Sequence, residues 1–457
     1  MTSQVQVFVR RSGYKRGGLK LATLLEMLLY MQVLLAGFIG FGPFLYGDRL
    51  GQETPAAALL YPIRSLATVG IFALALLFGA RPPRTVRAAI LLIYVLYLAA
   101  TTLWTVDRAI TARAAVDMAA ICISLSALCN GLSTSRSINV LLNVLVATLV
   151  VSSLLAVTMP AIGVMGAYDS WTEDQAGAWR GLFVEKNALG GTAAIGLVVM
   201  VRSWQVWTMP TIIKAGGVVA ALVCFIFARS ANAWVGLAAM GVATILFAGN
   251  PSRIRAALTW TILSAIVAVM ATSSAVLTAL DFLGRDTTFN GRTPIWETSI
   301  DLWQNAWLTG YGYVAGTSKT LQPILLQTHG VAARHAHSGY IEALVETGVI
   351  GLLLFVLLFL ACIWRASTLP RSTPPLDRQA TTSLFMILFG SMVMAGGDVN
   401  ATRLVGGWGA ITWTALICTV CLPRASGFLR NRTQRWQPRS DEVVASAPLR
   451  EDSAQRV

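Results

Sequence analysis

Long apolar segments alternate with short polar connections along the chain, and this pattern predicts an all-helical protein that crosses a membrane many times. About twelve segments have the roughly 17 to 27 residues that a helix needs to cross a hydrocarbon core of ~30 Å. The first segment is much longer than the apolar core of a signal peptide, so we expect it to be retained as a helix. The predicted spans cover residues 19–45, 56–80, 86–104, 109–130, 137–159, 186–204, 209–228, 233–248, 256–280, 338–363, 381–397 and 405–422.

The longest polar interruption, residues 281–337, contains a second helical pattern. Thr293 is expected to cap this helix, Pro294 to occupy its first position and Gly310 to end it. The apolar side chains that recur at helical spacing are Trp296, Ile300, Trp303 and Trp307. The pattern predicts an amphipathic helix of about 15 residues, about 22 Å long. Tryptophan prefers the lipid head-group level, so the helix is expected to lie on the outer leaflet or to roof a cavity. Simple packing against the bundle is the alternative.

Lysine and arginine are concentrated in every second connection, and this alternation predicts the orientation of the chain. Basic flanks stay in the cytoplasm, so both termini are expected there, with residues 160–185 and 281–337 on the outer, periplasmic side. The predicted organisation is a basic cytoplasmic N-terminus (1–20), nine spans (21–280), a periplasmic loop with the amphipathic helix (281–337), three spans (338–422) and a basic cytoplasmic tail (423–457).

The composition agrees with a membrane protein and excludes a soluble globule. The 457 residues are 55% hydrophobic and 12% charged, with a mean hydropathy of +0.65, which leaves too little polar surface to cover a water-soluble fold. The net charge of +14 is explained by the topology and by attraction to anionic lipid head groups. We therefore expect membrane lipids, and no nucleic acid, among the partners.

All three histidines lie within one nine-residue stretch of the outer loop: His329, His335 and His337. Histidine is the side chain that exchanges protons near neutral pH, so this stretch is the first candidate for chemistry. His337 directly precedes the span that begins at Ser338. The N-terminus of a helix attracts anions, which suits a phosphate-bearing substrate.

Basic residues on the outer side suggest what that substrate is. Guanidinium groups bind phosphate oxygens in a forked geometry and can neutralise a diphosphate leaving group. A histidine beside the acceptor hydroxyl can take up its proton, typically for a gain of about 10² to 10⁴-fold. These features favour a lipid-linked anionic substrate. The outer cationic candidates are Arg180, Lys186, Arg229, Arg292 and Arg403.

Within the spans, Arg64 is a further functional candidate, because ionisable residues at membrane depth are costly. Arg113 and Asp117 are four residues apart and are expected to pair with each other. A metal-dependent transferase usually has carboxylates at DxD-like spacing, and the outer loops contain no such pair. A zinc site made of the three histidines is the alternative, although its fourth ligand is undefined. We therefore expect no metal and no other cofactor.

The segment around His337 resembles the histidine motif of the O-antigen ligase and O-antigen/exopolysaccharide polymerase superfamily. In that motif a histidine followed by Ser, Asn or Gln precedes a glycine pair, as His337 and Ser338 precede Gly348 and Gly351 here. Other parts of residues 160–363 match the same superfamily. These are Tyr340, Glu342 and Glu346 within the motif; Gly291, Arg292 and Trp296 followed by Gly310, Tyr311 and Gly312; Arg180 to Asn187, as an RGxFxxKN element; and Arg229, Ser230 and Trp234, with the Ser–Arg order reversed.

The resemblance implies a metal-independent, inverting glycosyltransferase of the GT-C type in the bacterial inner membrane. It would transfer an oligosaccharide from undecaprenyl diphosphate to a sugar hydroxyl at the periplasmic face. His337 would be the acceptor-activating base or orienting group, and Arg292 would bind the diphosphate. Arg180, Lys186 and Arg229 are further phosphate-binding candidates. The remaining candidates for substrate contact are Arg64, His335, Tyr340, Glu342 and Arg403.

The motif is shared by polymerases and ligases. The run from Trp179 to Asn187 resembles exopolysaccharide polymerases, in which the acceptor is a second lipid-linked glycan and a chain-length regulator protein is a further partner. A ligase would use lipid A core as the acceptor. A transporter or flippase of a lipid-linked glycan and a non-catalytic membrane scaffold are the other interpretations.

Overall fold

A computed structural model describes residues 16–37, 55–166, 175–248, 292–330, 333, 335–369, 373–398, 402 and 407–422. Each predicted span that falls wholly or partly within these residues contains a helix. The predicted span 256–280, Arg403 and the tail 423–457 lie outside these residues. The helices are α1 (Arg16–Gly37), α2 (Pro55–Leu77), α3 (Val86–Ala100), α4 (Arg108–Gly131), α5 (Thr134–Thr158), α6 (Lys186–Arg202), α7 (Thr211–Phe227), α8 (Ala231–Ala248), α9 (Thr293–Gln304), α10 (Gln322–His329), α11 (Gly339–Ser367), α12 (Pro375–Met394) and α13 (Gly409–Cys421).

The described part of the chain is therefore all-helical, as predicted, and its only β pairing is an isolated bridge between Val164 and Trp179. Among the residues that the structure describes, four segments are long and apolar enough to cross a membrane by themselves: Val86–Leu103, Arg108–Gly131, Thr134–Thr158 and Gly339–Ser367. The count of twelve spans and the periplasmic position of the 281–337 loop stay predictions.

Polar side chains start several of the apolar helices. Thr85 accepts the backbone N–H of Ala88 at the start of α3, and Asp107 accepts that of Ile110 at the start of α4. Each side chain pairs a backbone donor that the first helical turn leaves without an intrahelical acceptor.

Helix α13 lies at the centre of the bundle and packs against α1, α4, α11 and α12. Trp413 is fully buried there and stacks on Tyr94 of α3 with ring centroids 6.0 Å apart. The peripheral helices instead expose large apolar side chains; Leu77 and Ile212, for example, are 80% and 81% exposed. A surface of this kind suits lipid rather than water, so the protein is a membrane protein.

The predicted amphipathic helix is present as α9, with a different start. Arg292 occupies the N-cap position with helical backbone angles and no side-chain cap bond, so Thr293 is the first helical residue rather than the cap. The 12 residues of α9 extend about 18 Å. Its buried face, Ile295 and Ser299, packs against α10 and α11. The buried face of α9 therefore packs against neighbouring helices, which was the alternative prediction for this helix.

Helix α11 is broken at Gly348, where the backbone adopts φ +64°. The segment after α9 lies against the break. The backbone N–H groups of Tyr311 and Gly312 donate to the carbonyl oxygens of Val345 and Glu346, both at 2.9 Å. Across the break, Val349 donates to the carbonyl oxygen of Trp307 at 3.0 Å. The backbone groups that the break releases are thus paired, as burial requires.

Candidate active site

Two of the three histidines flank Ala336 in the loop before α11, and both peptide groups of Ala336 are bonded. Its N–H donates to Oε2 of Glu342 at 3.0 Å, and its carbonyl oxygen accepts the indole Nε1–H of Trp296 at 2.9 Å. Ala336 is fully buried. The first turns of α9 and α11 therefore fix the point from which His335 and His337 project.

His337 adopts a left-handed backbone conformation with φ +51°. Such a conformation costs a non-glycine residue on the order of 1–3 kcal/mol and persists only when its surroundings impose it. The N–H of His337 donates to Nδ1 of His335 at 3.3 Å. The two rings meet edge to face with centroids 4.2 Å apart. The strained residue is therefore held partly by the neighbouring imidazole.

Glu185 joins this pair from the other outer loop. Its Oε1 lies 3.0 Å from Nε2 of His335. The side chain occupies the N-cap position of α6 but makes no cap bond with that helix. Because Nδ1 of His335 accepts a hydrogen bond, neutral His335 carries its proton on Nε2 and donates it to Glu185. The three side chains form one hydrogen-bonded series, which we call the Glu185–His335–His337 series.

Burial by itself lowers the pKa of His335, but the charge and the hydrogen bond of Glu185, with the charges of Glu342 and Asp398, raise it above its ordinary value. Burial lowers the pKa of His337 well below its ordinary value. The charges of His335 and Arg292 lower it further, while that of Glu185 acts in the opposite direction. His337 is therefore neutral near pH 7, with a lone pair available to accept a proton.

Arg292 lies at the start of α9 and is close enough to His337 for its charge to act there. Its Nη1–H donates to the carbonyl oxygen of Gly397 at 2.8 Å. Guanidinium has five N–H donors, and this is one hydrogen bond. The structure thus brings together two of the predicted site residues, Arg292 and His337.

Lys186 and Arg229 form a second basic pair at the start of α6. Nζ of Lys186 donates to the backbone carbonyl oxygen of Arg229 at 3.4 Å. Arg229 also has a left-handed backbone, with φ +48°. Ser230 donates its hydroxyl to Oδ1 of Asn187 at 2.9 Å, which joins the α7–α8 turn to α6. Since Lys186 follows Glu185 directly, this pair adjoins the Glu185–His335–His337 series.

Arg180 lies in the loop that precedes Glu185. Its Nε–H donates to the carbonyl oxygen of Ile162 at 2.7 Å. The preceding Trp179 stacks on Phe227 with ring centroids 4.7 Å apart. Arg180 is therefore fixed where the 160–185 loop meets the end of α7.

Two candidates are buried and bonded elsewhere in the bundle. Arg64 forms an ion pair with Asp117, which joins α2 to α4. The sequence analysis expected Asp117 to pair with Arg113. The hydroxyl of Tyr340 donates to the carbonyl oxygen of Met392 at 2.6 Å, and its side chain is 2% exposed. Both side chains have structural partners, and their predicted contact with a substrate stays a prediction.

Glu342 and His329 also have structural partners. Glu342 is fully buried and supports Ala336, as described above. His329 ends α10 and lies 3.1 Å from the hydroxyl of Thr298, on an exposed surface. The three histidines that the sequence groups together therefore separate into a pair and a distant residue.

Glu185 is the main site residue that the sequence reasoning missed. A carboxylate inside a basic outer run, between Phe183 and Lys186, was the available signal. Asp398 was missed as well; its charge acts on His335, and its carbonyl oxygen accepts the N–H of Gly339 at 3.1 Å.

The donor atoms of Glu185, His335 and His337 lie within 4.8 Å of one another, a spacing that could hold a metal ion. Two histidines and a glutamate are a known zinc ligand set. This set differs from the predicted alternative, which contained His329. Both ring nitrogens of His335 are already in hydrogen bonds, so a metal bound through Nε2 would replace the bond to Glu185.

These features describe a polytopic membrane protein with a histidine–arginine site, and most of the site residues lie within a region that matches a known family. Residues 216–356 match the family model described as O-antigen ligase. That region runs from α7 into α11 and contains Arg229, Arg292, His335 and His337.

A curated relative extends the similarity. The chain is 28% identical over 219 residues to "Exopolysaccharide production protein ExoQ" of Rhizobium meliloti (strain 1021). The aligned part is 44% of this chain and 49% of that protein, so the chain spans about half the length of this relative. The two matches confirm the predicted resemblance to the O-antigen ligase and polymerase superfamily.

Proposed function

We propose that the protein is a metal-independent, inverting glycosyltransferase of the GT-C type that polymerises undecaprenyl-diphosphate-linked oligosaccharide repeat units. It would act at the periplasmic face of the bacterial inner membrane, with both termini in the cytoplasm. The observation that carries the proposal is a neutral, strained His337 beside Arg292 at the start of a transmembrane helix. The family match and the similarity to an exopolysaccharide production protein support the glycan-transferring class.

In the proposed reaction the acceptor hydroxyl oxygen attacks the anomeric carbon of the donor sugar. The bond from that carbon to the diphosphate oxygen breaks, and undecaprenyl diphosphate leaves with the electron pair. His337 takes up the hydroxyl proton, and its lowered pKa ensures that the ring is unprotonated beforehand. Because this lowered pKa also makes it a weak base, proton uptake is expected late, when the hydroxyl oxygen has become acidic.

The basic residues supply the electrostatic part. Arg292, with donors beyond the one bound to Gly397, faces the developing charge on the diphosphate. Lys186, Arg229 and Arg180 lie on the neighbouring loops and would contact the remaining phosphate oxygens. Cations in these positions neutralise the leaving group as a divalent metal would.

A transfer assay tests the function. Purified protein is incubated with undecaprenyl-diphosphate oligosaccharide, with and without lipid A core, and the products are separated by length. Long chains formed without the core are expected. Product that forms only on the core would overturn the polymerase and establish the ligase, the second candidate, which the description of the matching family favours.

Variants at two histidines separate catalysis from transport. His337→Ala is expected to abolish glycan transfer while the protein still inserts and binds the lipid donor. His329→Ala is the matched control, because that histidine lies on an exposed surface outside the site. Unchanged product from His337→Ala would reject the enzyme and favour a transporter or flippase of the same lipid.

A further inference from the structure

We propose that Glu185 is a positioning residue, which acts through His335 to hold His337 in the conformation that accepts the acceptor proton. The proposal rests on the proposed function, because it assigns a role within the same site. It gives His335 a role as the link in the Glu185–His335–His337 series rather than as a substrate contact.

The first step of the argument is connectivity. Glu185 begins α6, and the histidines precede α11, so the 3.0 Å contact joins residues 150 positions apart. Glu185 is 36% exposed and His335 16%, so the contact lies at the edge of the site. The carboxylate is therefore placed by α6 and acts on a loop that belongs to another element.

The second step is the choice of tautomer. The N–H of His337 points at Nδ1 of His335, which must be an acceptor. With a proton on Nδ1, the Nδ1–H of His335 and the N–H of His337 would both be donors and would repel each other. In neutral His335 the carboxylate of Glu185 accepts the proton of Nε2, and this tautomer leaves Nδ1 without hydrogen. Without the carboxylate, His335 can also carry its proton on Nδ1. The hydrogen bond from the N–H of His337 to Nδ1, which holds the strained backbone of His337, is then weakened.

The third step is charge. His337 faces His335 from its own loop, Glu185 from α6 and Arg292 from α9; His335 also feels Glu342 of α11 and Asp398 after α12. The charge of Glu185 raises the pKa of His337, whereas burial and the charges of His335 and Arg292 lower it. Neutralising Glu185 therefore lowers the pKa of His337 further and makes it a poorer proton acceptor.

The test compares Glu185→Gln with Glu185→Asp in single-turnover transfer by the full-length protein in detergent. Glu185→Gln is expected to lower the transfer rate on the order of 10²-fold, as misplacement of a catalytic group does, while the KM for the lipid donor stays within about 2-fold of wild type. Glu185→Asp is expected to restore part of the rate. The acid limb of the rate profile should move to lower pH in Glu185→Gln.

Glu297→Gln is the matched control, since Glu297 is an exposed carboxylate on α9 outside the site. It should leave both the rate and the donor KM unchanged. Thermal unfolding of each variant is measured in parallel, so that a folding defect is separated from a loss of rate. A rate of Glu185→Gln equal to that of the control overturns the proposal.

A double variant tests whether Glu185 acts through His335. If it does, His335→Asn/Glu185→Gln should be no slower than His335→Asn alone. Multiplied losses would overturn the positioning role and indicate that Glu185 contacts the substrate itself. Loss of wild-type activity in EDTA with return on added zinc would overturn it too, in favour of a metal held by Glu185, His335 and His337.

The two levels of proposal fail in different ways. Full activity of His337→Ala removes the proposed function and with it the role of Glu185. An inactive His337→Ala together with an unimpaired Glu185→Gln removes the positioning role alone.

Discussion

Tyr311 donates its backbone N–H to the carbonyl oxygen of Val345 at 2.9 Å, where helix α11 is about to break. The Gly–Tyr–Gly segment that the superfamily resemblance places among functional elements thus completes the hydrogen bonding of an interrupted helix. Gly310, Gly312 and Gly348 all have positive φ here. A Cβ at Gly310 or Gly348 would lie within 2.6 Å of backbone atoms, so close backbone contact by itself explains these two glycines.

The break in α11 should tolerate no side chain. In Gly348→Ala the added Cβ would lie 2.3 Å from the carbonyl carbon of Leu308, in a backbone with φ +64°. We expect a loss of at least ~2 kcal/mol in the free energy of unfolding, from steric overlap and left-handed strain. Gly241→Ala in α8, where a Cβ meets nothing within 4 Å, is the control and should be neutral or slightly stabilising. Thermal unfolding in detergent measures both variants. Equal melting temperatures would contradict the close contact between Leu308 and the break at Gly348.

The transfer rate should depend on pH through His337. Its pKa is lowered well below the ordinary value, mainly by burial, which is about 6.5 for histidine. The ring is active when neutral, so the rate is lost as pH falls through this lowered pKa and stays level from about pH 6.5 to 8. Single-turnover rates measured from about pH 8 down to below the ordinary histidine pKa of about 6.5 check the prediction. An acid limb with its midpoint above the ordinary value would exclude His337 as the titrating base.

Arg292 should affect donor binding and the pH profile together. Arg292→Ala removes a charged donor to phosphate, so we expect the Kd for the lipid donor to rise about 10- to 100-fold. Because Arg292 lowers the pKa of His337, the acid limb of the rate should also move to higher pH. Arg292→Lys keeps the charge without the fork and should restore the pH profile better than the affinity. Donor binding and rate are measured on the same preparation. An acid limb of Arg292→Ala at the same pH as that of wild type would show that the charge of Arg292 does not act on His337.

Arg64 should prove to be structural. Arg64→Met removes the guanidinium from Asp117, a half-buried carboxylate that also accepts the hydroxyl of Ser65, and is expected to cost up to about 3–5 kcal/mol. The double variant Arg64→Met/Asp117→Leu removes both charges and should recover most of that stability. Unfolding temperature reports the difference, and transfer per folded molecule should stay at the wild-type level in the double variant. A folded but inactive double variant would return Arg64 to the list of functional residues.

Much of the fold can be predicted from hydropathy, because a helix in lipid needs a minimum apolar length and little else. The position of His337 before α11 follows from the same boundary. The break at Gly348 could not be predicted this way, since the predicted span 338–363 continues through it. Capping by Thr293 failed because Arg292 already has helical backbone angles.

The site was less accessible to sequence reasoning because its contacts are long-range. Glu185 and His335 are 150 residues apart, and nothing local distinguishes this carboxylate from the other charges of an outer loop. Asp117 was assigned to Arg113 by helical spacing, and the ion pair that it makes with Arg64 of another helix was not predicted. Rules for neighbours on one helix do not show which helices lie side by side.

The double bonding of Ala336 has a mechanical consequence. The first turn of α9 contains Arg292, which would meet the donor, and Trp296, whose indole holds the carbonyl oxygen of Ala336. Any tilt of α9 when the donor binds would therefore also move the Ala336 peptide, which lies between His335 and His337. If Arg292 binds the donor as proposed, donor binding would therefore also change the position of His337 relative to the acceptor.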